Sequence, residues 1–237
     1  MSRGITRRPK IRLAEDLQTA LQLATAQFTD VDLSRARSEL EAELDRVCTR
    51  FREQFTGASW LEIPGVPETR ALYKAIGLDP TKVRPSSEAL LRRVLRGQAL
   101  YKVNLLVDTV NLCSLEFQLS YGVYDLRALS LPIEARLGRS GESYPGIRKG
   151  PVHLDGRICL VDQEGPFGNP TSDSLRAAIS ENTKETLIVI FAPHGMKRAD
   201  LDKRLEQTIE RVSRFTGARP VKPVEPVNPV KSVESVE

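Results

Sequence analysis

Three stretches of this chain carry more hydrogen-bonding side chains than packing alone requires. In the run Asn104-Leu105-Leu106-Val107-Asp108-Thr109-Val110-Asn111, the polar residues Asn104, Asp108 and Asn111 fall at steps of four and three. On a helix those steps share one face, so an amide, a carboxyl and a second amide cross an otherwise apolar surface. Such a row either binds a polar ligand or ties down a neighbouring loop. A second stretch, Gly122-Val123-Tyr124-Asp125-Leu126, sets a glycine, a phenol and an acid within one strand length. The third is Asp162-Gln163-Glu164-Gly165-Pro166-Phe167-Gly168-Asn169-Pro170-Thr171-Ser172-Asp173-Ser174. Its glycines let backbone amides approach a ligand closely, which can hold an oxyanion without a charged side chain. Read alone, the same loop is equally a long solvated turn with Asx capping.

The commonest catalytic sets are missing. There is no Gly-x-Ser-x-Gly elbow, no Walker loop and no Gly-x-Gly-x-x-Gly after a strand. His153 precedes the turn Asp155-Gly156, and His194 sits between a strand end and Gly195, positions that read as turn or surface histidines. Cys48, Cys113 and Cys159 are scattered, without a CxxC or a nearby histidine pair. They read as small buried hydrophobes, and neither a metal, a cofactor nor a disulfide framework is expected.

The elements that must position these residues follow from periodicity. The 237 residues contain 40% hydrophobic side chains, enough for one or two domains with a core that needs no staples. Leu13, Leu17, Leu21, Ala24 and Phe28 recur at near-helical steps, and Leu33, Leu40, Leu44, Val47, Phe51 and Phe55 do so again. Together they predict an N-terminal helical hairpin packed on the main body, within residues 1–62. Further helices are expected over Thr69–Ile76, from Ser86 (as N-cap) through Leu95, over Asn104–Phe117 and from Leu201 to Phe215. Strand-length runs occupy Gly122–Leu126, Leu131–Leu137, Val152–Leu154, Arg157–Val161, Leu175–Ile179 and Leu187–Ala192, the last apolar enough for a central strand. Residues 218–237, with Pro220, Pro223, Pro226 and Pro229 every third position, read as a disordered Pro/Val-rich tail.

The net charge of +4 is unevenly placed. Met1–Arg12 carries +5 and Arg84–Lys102 carries +4, leaving −5 on the remainder. The second segment holds Arg84, Arg92, Arg93, Arg96 and Lys102 against Glu88. Basic segments on an otherwise acidic chain can meet a polyanion, or simply form a solvated helix face. No apolar run approaches the ~18 residues of a spanning helix, and Met1–Arg12 lacks the apolar core of a signal peptide. A cytoplasmic protein without membrane contact is expected.

Taken in order, Arg84-Pro85-Ser86-Ser87-Glu88-Ala89-Leu90-Leu91-Arg92-Arg93, Asn104 to Asn111, Tyr124-Asp125-Leu126 and the Gly165–Asn169 loop resemble the B3/B4 domain. That domain belongs to the β subunit of bacterial phenylalanyl-tRNA synthetase and also occurs as freestanding proteins. The resemblance covers about residues 68–195. It implies an α+β fold, with a mixed or antiparallel β core flanked by helices over residues 63–217. It also implies trans-editing, in which water attacks the ester of a mischarged aminoacyl-tRNA without a side-chain nucleophile. A non-catalytic tRNA- or RNA-binding module that retains the editing fold is the alternative. The expected partners are mischarged aminoacyl-tRNA and, transiently, a synthetase or translation factor.

Carried over by position, the resemblance puts Asn111 in the pocket and gives Asn111, Gly168 and Asn169 the catalytic roles. Asn104, Asp108, Gly122, Tyr124, Asp125, Gln163, Glu164, Gly165, Phe167 and Asp173 become substrate-binding candidates, with Tyr124 or Phe167 lining the pocket or stacking on adenine. Arg84, Arg92, Arg93, Arg96 and Lys102 become the tRNA contacts. Two departures stand out. The family's pocket histidine falls on Gly122, and its loop glutamate meets Gly168-Asn169-Pro170-Thr171, which has no acid. A site that selects a phenol needs such polar partners, so the expected amino acid is not tyrosine but a smaller or aliphatic one.

Overall fold

The computed structural model describes residues 9–147 and 150–221. In chain order its elements are β1 (Ile11–Leu13), β2 (Leu21–Thr29), α1 (Ser38–Gln54), α2 (Val66–Ala75), α3 (Ser86–Leu95), α4 (Leu105–Phe117), β3 (Ser120–Asp125), β4 (Ile133–Leu137), β5 (Ser143–Pro145), β6 (Pro151–His153), β7 (Ile158–Asp162), β8 (Gly165–Gly168), β9 (Thr186–Pro193), α5 (Arg198–Thr216) and β10 (Arg219–Pro220). The fold is α+β.

The apolar run in β9 organises the molecule. Alternation sends Leu187, Val189 and Phe191 to one face and Ile188, Ile190 and Ala192 to the other, and all six are buried. A strand buried on both faces must lie inside a sheet and between layers. β9 is indeed a central strand of an antiparallel sheet ordered β10-β2-β9-β3. A second sheet, ordered β1-β4-β7-β8, has a parallel β1–β4 pair and antiparallel pairs elsewhere.

Leu187, Val189 and Phe191 pack with Leu21, Leu23, Tyr124, Ile133, Leu160 and Phe167 in the core between the two sheets. Ile188, Ile190 and Ala192 pack with Ala24, Ala26 and Phe28 against α4 and α5, through Leu106, Val110, Cys113, Leu201, Leu205 and Val212. A third core joins α1, α3 and α4 through Leu40, Val47, Phe51, Leu91, Val94, Leu105 and Leu112. The layers therefore run sheet, sheet, α4–α5, then α1–α3. The short β5–β6 hairpin pairs outside both sheets.

Three expectations need correction. Residues 13–28 do not form the first arm of a helical hairpin: β2 spans eight register pairs with β9. Because β2 is buried on both faces, Leu21 and Leu23 serve one core while Ala24, Ala26 and Phe28 serve the other, and this double burial imitates helical spacing. The second arm, α1, is helical as its spacing predicts. Leu175–Ile179 is a turn region with Leu175 exposed, not a strand. Ser86 does not cap α3, since Pro85 holds the N-cap and the Ser86 hydroxyl is buried without a partner.

At the other end, Arg219 and Pro220 pair with Thr29 and Phe28, so the chain stays in the sheet past position 218. The basic residues before position 9 and the proline repeats after 221 lie outside the described residues. Among the described residues, no helix is long and apolar enough to cross a membrane.

Candidate functional site

The three polar residues of α4 do three different things. Asn104 is the N-cap, its side-chain oxygen accepting the Val107 amide at 2.9 Å. Asp108 is buried, where it pairs with the Arg37 guanidinium and accepts the Val103 amide at 3.0 Å. Both residues thus fasten the loop that enters the helix, the second of the two roles such a row can play. Asn111 makes no side-chain hydrogen bond among the described residues and lines a cleft of about 370 Å³.

Four parts of the fold form that cleft. Val107 and Asn111 lie four residues apart on one side of α4, Val103 comes from the segment just before its N-cap, and Val123 comes from β3. Gly146, Ile147 and Val152 come from the β5–β6 hairpin, and the loop after β8 adds Thr171, Ser172, Asp173, Ala178 and Ile179. The walls are apolar and the few polar groups are gathered on Asn111 and residues 171–173, the usual constitution of a small-molecule site.

The loop is held on all sides. The Asn169 side-chain oxygen accepts the amides of Thr171 at 2.7 Å and Ser172 at 2.8 Å, forming an Asx turn. The Tyr73 hydroxyl is 3.0 Å from the Thr171 hydroxyl, and the Tyr144 hydroxyl donates to the Ser172 carbonyl at 2.7 Å. The first amide of α3, on Ser86, donates to the Pro170 carbonyl at 3.2 Å. Asn169 itself is buried behind the loop rather than in the cleft, with its Nδ2 unpartnered.

Asp173 is the acid of the cleft. Its Oδ1 accepts the Tyr124 hydroxyl at 2.8 Å and, more weakly, the Asn169 amide at 3.4 Å. No arginine or lysine among the described residues pairs with it. Burial pushes its carboxyl up to about 7, against the smaller opposing effect of the two hydrogen bonds.

Tyr124 is itself wholly buried, with the Phe167 ring edge-on at 5.0 Å. Its hydroxyl end passes between two glycines: a Cβ at position 122 would lie 2.0 Å from it and one at 168 only 2.3 Å. Gly122 and Gly168 are therefore small because Tyr124 is there. Tyr124 and Phe167 belong to the core and line neither the cleft nor a base-stacking surface. Asp125 caps the following turn at Arg127 and accepts the Thr183 hydroxyl. Gln163, Glu164 and Gly165 sit at the β7–β8 turn, where Glu164 accepts the Ser130 hydroxyl, and none of them lines the cleft.

The basic residues divide similarly. Arg84 and Arg92, together with Arg70, surround buried Glu88 at 3.3, 3.7 and 2.7 Å. Arg92 also stacks on Trp60. Arg93 donates to the Ala99 carbonyl and lies over the Tyr101 ring at 4.0 Å. Lys102 pairs with Glu41 at 2.8 Å but stays largely exposed, and Arg96 is exposed at the end of α3 with no partner among the described residues. This loop runs directly into Val103 at the cleft.

Sequence reasoning passed over the apolar walls and the hydroxyls of Thr171 and Ser172. One signal was available: Val107 precedes Asn111 by four residues on the expected helix and so shares its face. The histidines are exposed and the three cysteines buried and free. Among the described residues, no group of three or more His, Cys, Asp or Glu side chains could hold a metal ion.

The fold is thus an α+β domain with a cleft at the junction of a helix, a sheet and a hairpin. Residues 68–226 match the B3/4 domain family, and the chain belongs to that family. Among solved structures, it is similar to an N-terminal fragment of the phenylalanyl-tRNA synthetase β-subunit from Pyrococcus horikoshii, with 12% identity and a TM-score of 0.49. The match covers 90% of this chain and 50% of that one, so this chain spans half the length of the fragment. No curated protein matches the sequence.

Proposed function

We propose that this chain deacylates mischarged aminoacyl-tRNA. The observation that carries the reading is the cleft of a B3/4-family chain in which the Asn111 amide is unspent beside a braced loop that lines the cleft with Thr171, Ser172 and Asp173. In the proposed reaction, water adds to the ester carbonyl carbon and the acyl C–O bond breaks. The proton from water passes to the ribose oxygen, leaving a free amino acid and uncharged tRNA. Asn111 donates to the carbonyl oxygen as negative charge develops on it, and residues 171–173 orient the acyl group. Catalysis of this kind rests on positioning and oxyanion stabilisation and needs no histidine or cysteine nucleophile. Arg93 near the end of α3, and Arg96 and Lys102 in the segment that leads from it to Val103, would meet the phosphates of the acceptor end.

The test is a panel of mischarged tRNAs incubated with the purified chain, following loss of the ester against buffer. Turnover that falls about 100-fold or more in Asn111→Ala is the expected result, the usual cost of removing one oxyanion donor. Salt-dependent tRNA binding with no turnover of any ester would replace the reading with that of a binding module. Preferential hydrolysis of tyrosyl-tRNA would overturn the expectation that the pocket has lost selectivity for a phenol.

A further inference from the structure

We infer that Asp173 is the receptor for the α-ammonium group of an aminoacyl ligand whose side chain is aliphatic. The inference takes the acyl group from the deacylase reading but is carried by its own observations. Asp173 lines the cleft with one oxygen committed to Tyr124 and Asn169, both through Oδ1. Its Oδ2 makes no hydrogen bond among the described residues and belongs to a residue that opens on the cleft. A carboxyl in such a setting has lost water on most sides without gaining a cation, and a cation from outside is the partner that would restore the balance.

The rest of the cleft describes what that cation is attached to. Val103, Val107, Val123, Ile147 and Ile179 offer branched apolar surface and no further charge. Asn111 supplies one neutral amide whose Nδ2 can donate to a carbonyl oxygen, and it brings no charge that would compete with Asp173 for an ammonium. A ligand with an ammonium, a carbonyl and a branched hydrocarbon matches this set, and those three groups are what an aliphatic aminoacyl ester presents. A lysyl or arginyl side chain would bring a second cation that none of these walls can receive.

The pairing needs Asp173 ionised. The titratable groups that face it among the described residues are the phenols of Tyr124 on β3 and Tyr144 on β5. Burial raises both well above the neutral range, so they stay protonated, and α4 contributes only uncharged Asn111. Below the Asp173 value of about 7, ligand binding must expel a proton, so affinity falls as pH falls, approaching tenfold per pH unit.

The experiment uses the full chain and a non-hydrolysable probe, 3′-valylamino-3′-deoxyadenosine, against its N-acetyl derivative, which keeps every group except the ammonium. Titration calorimetry of wild type at pH 7.5 is expected to favour the free amine by about tenfold or more. The preference should shrink as pH is lowered to 6 and disappear in Asp173→Asn, which keeps the size and the acceptor for Tyr124. Equal binding of both probes, binding of neither, or an unchanged preference in Asp173→Asn would overturn the inference, and the first two need no variant that might misfold. The two readings can fail separately. Amine-selective binding without ester hydrolysis leaves Asp173 as the receptor and removes the deacylase. Hydrolysis of valyl- and N-acetylvalyl-tRNA at equal rates keeps the deacylase and removes the receptor.

Discussion

The Tyr124 hydroxyl donates to Asp173 Oδ1 at 2.8 Å, and this neutral phenol is the strongest partner the carboxyl has. A phenol can stabilise a carboxylate but cannot neutralise it, so burial dominates and the group holds its proton up to about 7. The unfolded chain releases that proton near the ordinary value of about 3.9. Between the two values the folded state binds the extra proton, so this residue's contribution lowers stability as pH rises from about 4 to about 7.

Asp173→Asn removes that pH dependence. Relative to wild type, the variant should gain stability at pH 8, by about 1–3 kcal/mol once solvent reaching the cleft is allowed for, and the gain should vanish near pH 4. Thermal melts across this range would register it as several degrees at the alkaline end. A variant less stable than wild type at every pH would mean that the carboxylate is stabilised by a partner that asparagine loses.

Gly122→Ala and Gly168→Ala each put a methyl group where the end of the Tyr124 ring already stands. Neither glycine has a positive φ, so the cost is steric and not a matter of backbone strain. Each substitution should destabilise by about 1–3 kcal/mol, the usual cost of overpacking a close-fitted core. Combining Gly168→Ala with Tyr124→Leu should cost less than the sum of the two single changes, since the leucine vacates the contested space. A double-mutant cycle from denaturant unfolding measures that coupling directly.

The positions of these residues show what could be read from sequence and what could not. α2 to α5 follow from helical periodicity, and β9 from an unbroken apolar run of strand length. β2 was illegible because it too packs on both faces, which erases alternation, while Gln22, Thr25 and Gln27 break its apolar run and leave Leu21, Ala24 and Phe28 at helical spacing. At the site, Asn111 was legible as a polar residue on an apolar helix, and its divergence from Asn104 and Asp108 was not. That divergence depends on Arg37 and the Val103 amide, neither of which local spacing can place. Tyr124 and Phe167 have the right chemistry for a pocket, but only the packing of β3 against β8 shows that they are its foundation.

The basic residues of 84–102 should separate into two groups by what their removal changes. Arg84 and Arg92 face Glu88, which is only 2% exposed, so Arg84→Ala or Arg92→Ala should lower stability by leaving that acid less compensated. Arg96 faces no acid among the described residues. Arg96→Ala should leave the melting temperature within about a degree while weakening tRNA binding and reducing the slope of log K against log salt by about one. Fluorescence anisotropy over a salt series, beside thermal melts, distinguishes the groups. An Arg96→Ala variant with an unchanged salt slope would take this surface out of the tRNA path.

Asn169 braces the loop that walls the cleft, whereas Asn111 lines the cleft itself. Asn169→Ala withdraws the acceptor that holds the Thr171 and Ser172 amides, at a cost of about 1–3 kcal/mol in stability. Turnover should fall as well, but by less than in Asn111→Ala, because the reacting atoms lose their alignment and not a direct contact. Asn169→Asp restores the acceptor and should recover most of the rate at high pH. It also places a second carboxyl in the same tight loop as Asp173, and a like charge raises the pH at which Asp173 ionises. The pH–rate profile of Asn169→Asp should therefore shift upward from that of wild type. A profile that stays in place, with the rate unrestored, would mean that the Asn169 Nδ2 group, and not its oxygen, supports the site.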